Sequence, residues 1–264
     1  MLTELPERPR HLMPGKHRCP RTPLAFCEIH PPDHFPLLFH REPTAPDLTL
    51  EREEIPDEAV SEPAIFWVTA TGLSEEPSRD ATLNALERRG TEKTTVFDLD
   101  FRPELWRDTA EAGPLIRQAL AQATVAVGNQ VEVATAVGTR TPEDAAQALL
   151  DLGVQLAVVK LGHEGVLAAT HEHRVRLPPV PVNVVNGLGA GDAFGRALCH
   201  GLLAGWTLAQ TIGFANASGA LVASRLGCAD SMPTDDEVRD LLAVRGLAAP
   251  PRLPMREETS GCAR

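Results

Sequence analysis

Apolar and polar positions along this chain fall into blocks whose period changes. Short runs rich in β-branched and aromatic residues, at 64–69, 94–99, 124–127 and 156–160, are bounded by turn residues. Between them lie longer stretches whose apolar positions recur at helical spacing, which predicts helices over 78–89, 113–122, 131–137 and 142–152. Strands alternating with helices at this interval predict an α/β fold with a parallel sheet covered on both faces. The runs 165–169 and 173–177 predict a hairpin at the edge of that sheet, and from 192 onward the pattern is helical, over 192–204, 207–225 and 234–244. Ahead of the alternation, 24–29 and 35–40 flank a Pro31-Pro32 turn and predict a β-hairpin whose prolines confine it to edge positions. The acidic, proline-punctuated stretch 47–63 reads as a surface connection. There is no internal repeat.

Composition narrows the class. With 264 residues, 43% apolar and 23% charged, the chain is long enough for a substantial core. Met1 to Thr22 carry four prolines and scattered arginines without the apolar centre of a secretory signal, so they are expected to form a disordered leader. Residues 246–264, rich in Pro, Arg and Glu, are expected to form a disordered tail, leaving 23–245 as one domain. A net charge of -11 argues against a nucleic-acid surface, and no run approaches the roughly 18 apolar residues of a membrane helix. The five cysteines are odd in number and lack metal-ligand spacing, which suits a reducing, cytoplasmic setting. His171-Glu-His173 has no partner cluster and reads as a strand turn rather than a metal site.

The chemistry concentrates where the β-branched run Val182 to Val185 gives way to Gly187, Gly189 and Gly191, followed at once by Asp192 and a helix. Glycines let the backbone turn tightly, and the helix mouth aims unpaired N–H donors and a positive dipole end at the same spot, which suits a phosphate. A carboxylate there would repel that phosphate unless it takes the proton of a hydroxyl attacking it; the duller alternative is an acid favourably placed at a helix N-terminus. In an open α/β sheet ligands sit beyond the carboxyl ends of the strands. The segments there are Asp100-Phe-Arg102-Pro103, Gly128-Asn129-Gln-Val-Glu132 and Lys160-Leu-Gly162-His-Glu-Gly165. Together these loops offer cations and amides for phosphate oxygens and carboxyl oxygens for magnesium waters. Singly they admit simpler readings: Asn129 and Glu132 as a reciprocal helix cap, Arg102 as the partner of Asp98 or Asp100, Gly162 and Gly165 as turn residues, Asn216 as a packing contact.

Taken jointly, the motifs resemble the ribokinase-like (PfkB) carbohydrate kinases. Gly187-Leu-Gly-Ala-Gly-Asp-Ala-Phe194 is similar to that family's C-terminal signature, Asn129-Gln-Val-Glu132 to its Asn-x-x-Glu motif, and Lys160–Gly165 and Phe214–Ala220 to its nucleotide-binding segments. A narrower resemblance, carried by Phe26–Pro43, Thr71–Pro77 and Val185–Asp192, is to members that phosphorylate 5-dehydro-2-deoxy-D-gluconate in inositol catabolism. The resemblance implies Asp192 as catalytic base, with Gly189, Ala190 and Gly191 as anion hole. It implies Lys160, Gly162, Gly165 and Asn216 around ATP, Asn129 and Glu132 ordering Mg2+ and its waters, and Arg41 and Arg102 on a sugar-acid carboxylate. It leaves a 2-keto-3-deoxygluconate kinase, a fructokinase or a non-catalytic nucleotide-binding remnant as alternatives. Implied partners are a sugar acid and ATP, with homo-oligomerisation open. The family's opening strand and glycine-and-asparagine sugar motifs have no counterpart before Gly72, so the resemblance implies a three-layer fold lacking its N-terminal strands, with the 23–46 hairpin as a lid remnant and activity impaired accordingly. Asn186 and Leu188 stand where relatives carry Asp and Thr near a monovalent cation, which leaves potassium dependence open, and His40 stands where close relatives carry an aromatic residue.

Overall fold

A computed structural model describes residues 22–41, 44–139 and 141–252. They fall into two compact units, the second being Val180 onward together with Pro31–Asp33.

In the first unit, β1 (Leu24–Cys27) and β2 (Leu37–His40) form the expected antiparallel hairpin, with Phe26 paired to Leu38. Short 3-10 turns at Pro46–Thr49 and Arg52–Glu54 and the helix α1 (Asp57–Ser61) follow. The connection over 47–63 is thus not simply superficial, because Leu48 and Val60 are buried and anchor it. The alternation then runs β3 (Ile65–Thr69), α2 (Ser78–Arg89), β4 (Thr94–Asp98), α3 (Ala112–Leu120), β5 (Val125–Asn129), α4 (Gln130–Val137), α5 (Pro142–Asp151), β6 (Leu156–Lys160), β7 (Val166–Ala169) and β8 (Arg174–Leu177).

These six strands form one sheet in the order β3-β4-β5-β6-β7-β8. The first four are parallel, and β7 and β8 are antiparallel additions at the edge. Strands buried on both faces should read as continuous apolar runs. β6, with Leu156, Ala157, Val158 and Val159 all buried, does so. Phe97, Leu99, Ile116, Leu120, Leu149 and Leu150 fill the core between sheet and helices. Arg89, at the C-terminal end of α2, is 6% exposed, and its guanidinium donates to the carbonyls of Val60 (2.7 Å) and Thr94 (3.0 Å). Burial draws its pKa below the ordinary value, and those carbonyls compensate the cost of a buried charge.

The second unit holds α6 (Ala190–Leu203), α7 (Leu208–Ala223) and α8 (Asp235–Val244). Thr207 and Gln210 make a reciprocal cap on α7, and Thr234 and Glu237 one on α8. Residues 246–252 do not form a loose tail: the Pro250 carbonyl accepts from Arg239 (2.5 Å), and Arg252 pairs with Asp235 and Asp236. The ionic contacts of a chain segment expected to be disordered hold it to α8. The expectations for 1–21 and 253–264 lie outside the described residues. Among those described, no helix is long and apolar enough to cross a membrane.

Candidate active site

The first unit gathers polar side chains at the carboxyl ends of its parallel strands. Asn129 ends β5 and caps α4: its Oδ1 accepts from the N–H groups of Val131 and Glu132, both at 2.9 Å, while Glu132 Oε2 accepts from the Asn129 N–H at 2.7 Å. The reciprocal cap is therefore present. It leaves Asn129 Nδ2 and Glu132 Oε1 outside the cap's own bonds. Glu132 is only 4% exposed, drawn in because Gly128 lacks a side chain. A Cβ at Gly128 would lie 2.6 Å from Leu99 Cδ1 and 3.3 Å from Glu132 Oε2.

Next to this pair stand Asp98, at the end of β4, and the half-buried Lys160, at the end of β6 and in register with Asn129. Burial pushes the Asp98 carboxyl up to about 6, against the pull of the Lys160 ammonium; the nearby charges of Asp100 and Glu132 push the same way as burial. Sequence reading gave Asp98 no role beyond an option for pairing with Arg102. No signal along the chain could have supplied one, since its environment depends on which strands neighbour β4.

The loop after β4 carries Arg102, which pairs with Asp100 at 2.6 Å; Thr71 Oγ1 donates to the other oxygen of Asp100 at 3.4 Å. Arg41 is placed otherwise. It pairs with Asp47 in the first 3-10 turn and makes no hydrogen bond to Asp98, Asp100, Arg102, Asn129 or Lys160. Gly162 opens the turn after β6 with φ 59°. Gly165 has φ 97°, and a Cβ there would overlap the Leu177 carbonyl at 2.0 Å, so its lack of a side chain is a requirement of the β7–β8 packing. His171 and His173 sit in the β7–β8 turn, closed by Thr170, and among the described residues no three His, Cys, Asp or Glu side chains converge as a metal cage.

The second unit contains the glycine loop. Gly189 caps α6 at φ 84°, a left-handed conformation, and a Cβ there would also press on Cys228 Sγ at 3.0 Å. In the first turn the Ala190 N–H makes a long bond to the Gly187 carbonyl (3.3 Å), whereas those of Gly191 and Asp192 have no backbone partner among the described residues. Asp192 is exposed, and its carboxylate makes no hydrogen bond or ion pair there. Two free donors and a solvent-facing acid at one helix mouth are the local arrangement that anion binding beside a proton acceptor calls for.

Asn186, 3% exposed, holds the loop in place: its Oδ1 accepts from the Leu188 N–H (3.0 Å) and its Nδ2 donates to the Leu226 carbonyl (2.9 Å). That anchoring role was not apparent in the sequence. Asn216 lies on α7 among small residues that let α6 approach, where Ser218 donates to the Ala193 carbonyl (3.1 Å) and a Cβ on Gly219 would sit 3.0 Å from the Ala190 carbonyl.

Known proteins resemble this chain over most of its length. The family described as pfkB family carbohydrate kinase matches residues 19–235. A 5-dehydro-2-deoxygluconokinase of Clostridium beijerinckii is 32% identical over 226 residues, covering 83% of this chain and 66% of the relative. One from Listeria monocytogenes serotype 4b is 32% identical over 225 residues, covering 83% and 69%. The chain thus spans about two thirds of the length of the curated relatives it matches. Among solved structures, a fructokinase from Vibrio cholerae O395 bound to fructose, ADP and calcium superposes with a TM-score of 0.71 at 28% identity, over 78% of this chain and 68% of that one. An aminoimidazole riboside kinase from Salmonella enterica, complexed with its riboside and an ATP analogue, gives 0.67 at 27% identity, over 78% and 70%.

Proposed function

The chain belongs to the pfkB family of carbohydrate kinases, and from that premise we propose that it transfers the γ-phosphoryl group of ATP to a hydroxyl of a sugar acid, 5-dehydro-2-deoxy-D-gluconate being the substrate the named relatives favour. The observation that carries the reading is the α6 mouth, where free N–H donors and an unpaired carboxylate share one turn. The donor set suits a nucleotide: the amides accommodate an anion, and magnesium, which keeps several waters and is held largely by substrate phosphates, would come with it. Bound Mg-ATP supplies the electrophilic phosphorus and neutralises the charge around it.

The chain's own residues then have distinct tasks. Asp192 accepts the proton of the attacking hydroxyl, a contribution of roughly 10²- to 10⁴-fold. The N–H groups of Gly189, Ala190 and Gly191 donate to the phosphoryl oxygens where charge accumulates; Ala190 first gives up its long bond to Gly187. Outside the cap's bonds, Asn129 Nδ2 would donate to a phosphate oxygen and Glu132 Oε1 would accept from a magnesium-bound water. Lys160, Gly162, Gly165 and Asn216 border the nucleotide. Arg102 offers its guanidinium to the acid's carboxylate, a pairing that is bidentate where geometry allows. Arg41, committed to Asp47, plays a lesser part.

An acceptor panel tests the proposal. ADP release with MgATP should be fastest, by at least about tenfold in kcat/KM, for 5-dehydro-2-deoxygluconate over 2-keto-3-deoxygluconate and fructose, a difference of roughly 1.4 kcal/mol in transition-state binding. A preference for fructose would move the chain to the neutral-sugar kinases. ATP binding with no transfer to any acceptor would leave it a nucleotide-binding protein.

A further inference from the structure

We propose that Asp100, steadied by Thr71, is a positioning residue that holds Arg102 in the orientation needed to receive the substrate's carboxylate; this rests on the assignment of Arg102 above. Three features of the loop after β4 carry it. Arg102 precedes Pro103, which restricts its backbone to the extended region, and its φ of -119° and ψ of 98° comply. Its side chain is then caught at one point only, a single terminal nitrogen 2.6 Å from one oxygen of Asp100. A guanidinium has five N–H donors, so the rest of the fork stays available to a planar, two-oxygen partner. Asp100 is itself held from two sides: Thr71 Oγ1 donates to its second oxygen at 3.4 Å, and its backbone N–H donates to Asp98 Oδ1 at 3.4 Å.

The pair does little for folding. Its partners are 37% and 30% exposed, and ion pairs this open to water contribute little to stability. What it does offer is order. An arginine free at the loop tip samples many rotamers and must lose them when a carboxylate binds, whereas one already tethered loses fewer. Asp100 also lends a like charge to the incoming acid, but solvent screens that repulsion at this exposure. Ordering therefore outweighs repulsion, and removing the tether weakens acid binding.

The test is steady-state kinetics on the full chain with 5-dehydro-2-deoxygluconate and MgATP. Asp100→Ala should raise KM for the acid about tenfold while KM for MgATP moves less than twofold and kcat less than threefold. Asp100→Asn, which keeps an accepting oxygen, should recover most of that loss. Thr71→Val should raise the acid's KM about threefold and Thr71→Ser should not, which keeps the inference testable if Asp100→Ala folds poorly. In an Arg102→Ala background Asp100→Ala should add nothing. If Arg102→Ala raises the acid's KM and Asp100→Ala leaves it unchanged or lowers it, the positioning role is overturned and the assignment of Arg102 stands. If Arg102→Ala leaves the acid's KM unchanged, or the acid is not a substrate, the underlying assignment fails and this inference with it. Equal changes in both KM values would mark a general structural defect and also overturn it.

Discussion

At the scale of single residues, position in the sheet decides the chemistry. Asn129 and Glu132 stand three apart in sequence, so their reciprocal cap is local and could be read from the chain. Asp98 could not, because its neighbours Lys160 and Glu132 come from other elements, β6 and α4. Its carboxyl, ordinarily near 3.8 and pushed up to about 6, makes a definite prediction. A raised carboxyl leaves stability untouched below the unfolded value and erodes it as pH rises from there through the folded value, so the penalty is absent below about pH 3, grows between roughly pH 4 and 6, and is complete above about pH 7. Burial outweighs the Lys160 attraction, and the net cost of the ionised form is roughly 2–3 kcal/mol before discounting for partial exposure. Urea unfolding of Asp98→Asn should therefore show a gain of about 1–2 kcal/mol over the parent at pH 7.5, shrinking to roughly a third of that at pH 4.5. A variant weaker than the parent at pH 7.5 would mean that the Lys160 interaction dominates.

At the scale of elements, close approach is the governing quantity in the helical unit. Gly201 on α6 faces Thr211 on α7 so tightly that a Cβ would lie 2.6 Å from Thr211 Cγ2 and 2.9 Å from its Cβ. Alanine improves helix propensity by about 1 kcal/mol, but overpacking a buried β-branched side chain costs roughly 1–3 kcal/mol. Thr211 is 1% exposed and cannot swing into solvent, so the second effect wins. Gly201→Ala should lose about 1–2 kcal/mol in denaturant unfolding, and the loss should largely vanish in a Thr211→Ala background. An unchanged or increased stability in the single variant would show that α6 and α7 separate at little cost. The elements themselves were largely legible. α2 and β6 fall on their predicted spans because the first is bounded by Pro77 and Gly90 and the second is a run of apolar residues. The α6 start lay two residues earlier than the 192 predicted, since a left-handed Gly189 can cap a helix directly. The buried anchors Leu48 and Val60 were hidden by irregular spacing in an otherwise acidic stretch.

At the scale of the whole molecule, alternation of strand and helix indicated the parallel sheet, and the reversal of β7 and β8 followed from the short links between 156–160, 165–169 and 173–177. The division at Val180 was not visible, because the turn-rich stretch 178–189 resembles the other loops of the chain in composition. The recurring placement of polar residues just beyond strand ends made the candidate residues readable along the chain, while the anchoring of the glycine loop by Asn186 required contacts from forty residues further on. One act of chemistry is central to the proposed reaction: removal of a hydroxyl proton by Asp192 as the phosphoryl group moves. The most direct test compares Asp192→Asn with the parent in two assays, thermal stabilisation by MgATP and ADP release with 5-dehydro-2-deoxygluconate. Stabilisation should stay within about 1 °C of the parent's and turnover should fall by at least about 10²-fold. Turnover by Asp192→Asn equal to the parent's would contradict the proposed proton removal.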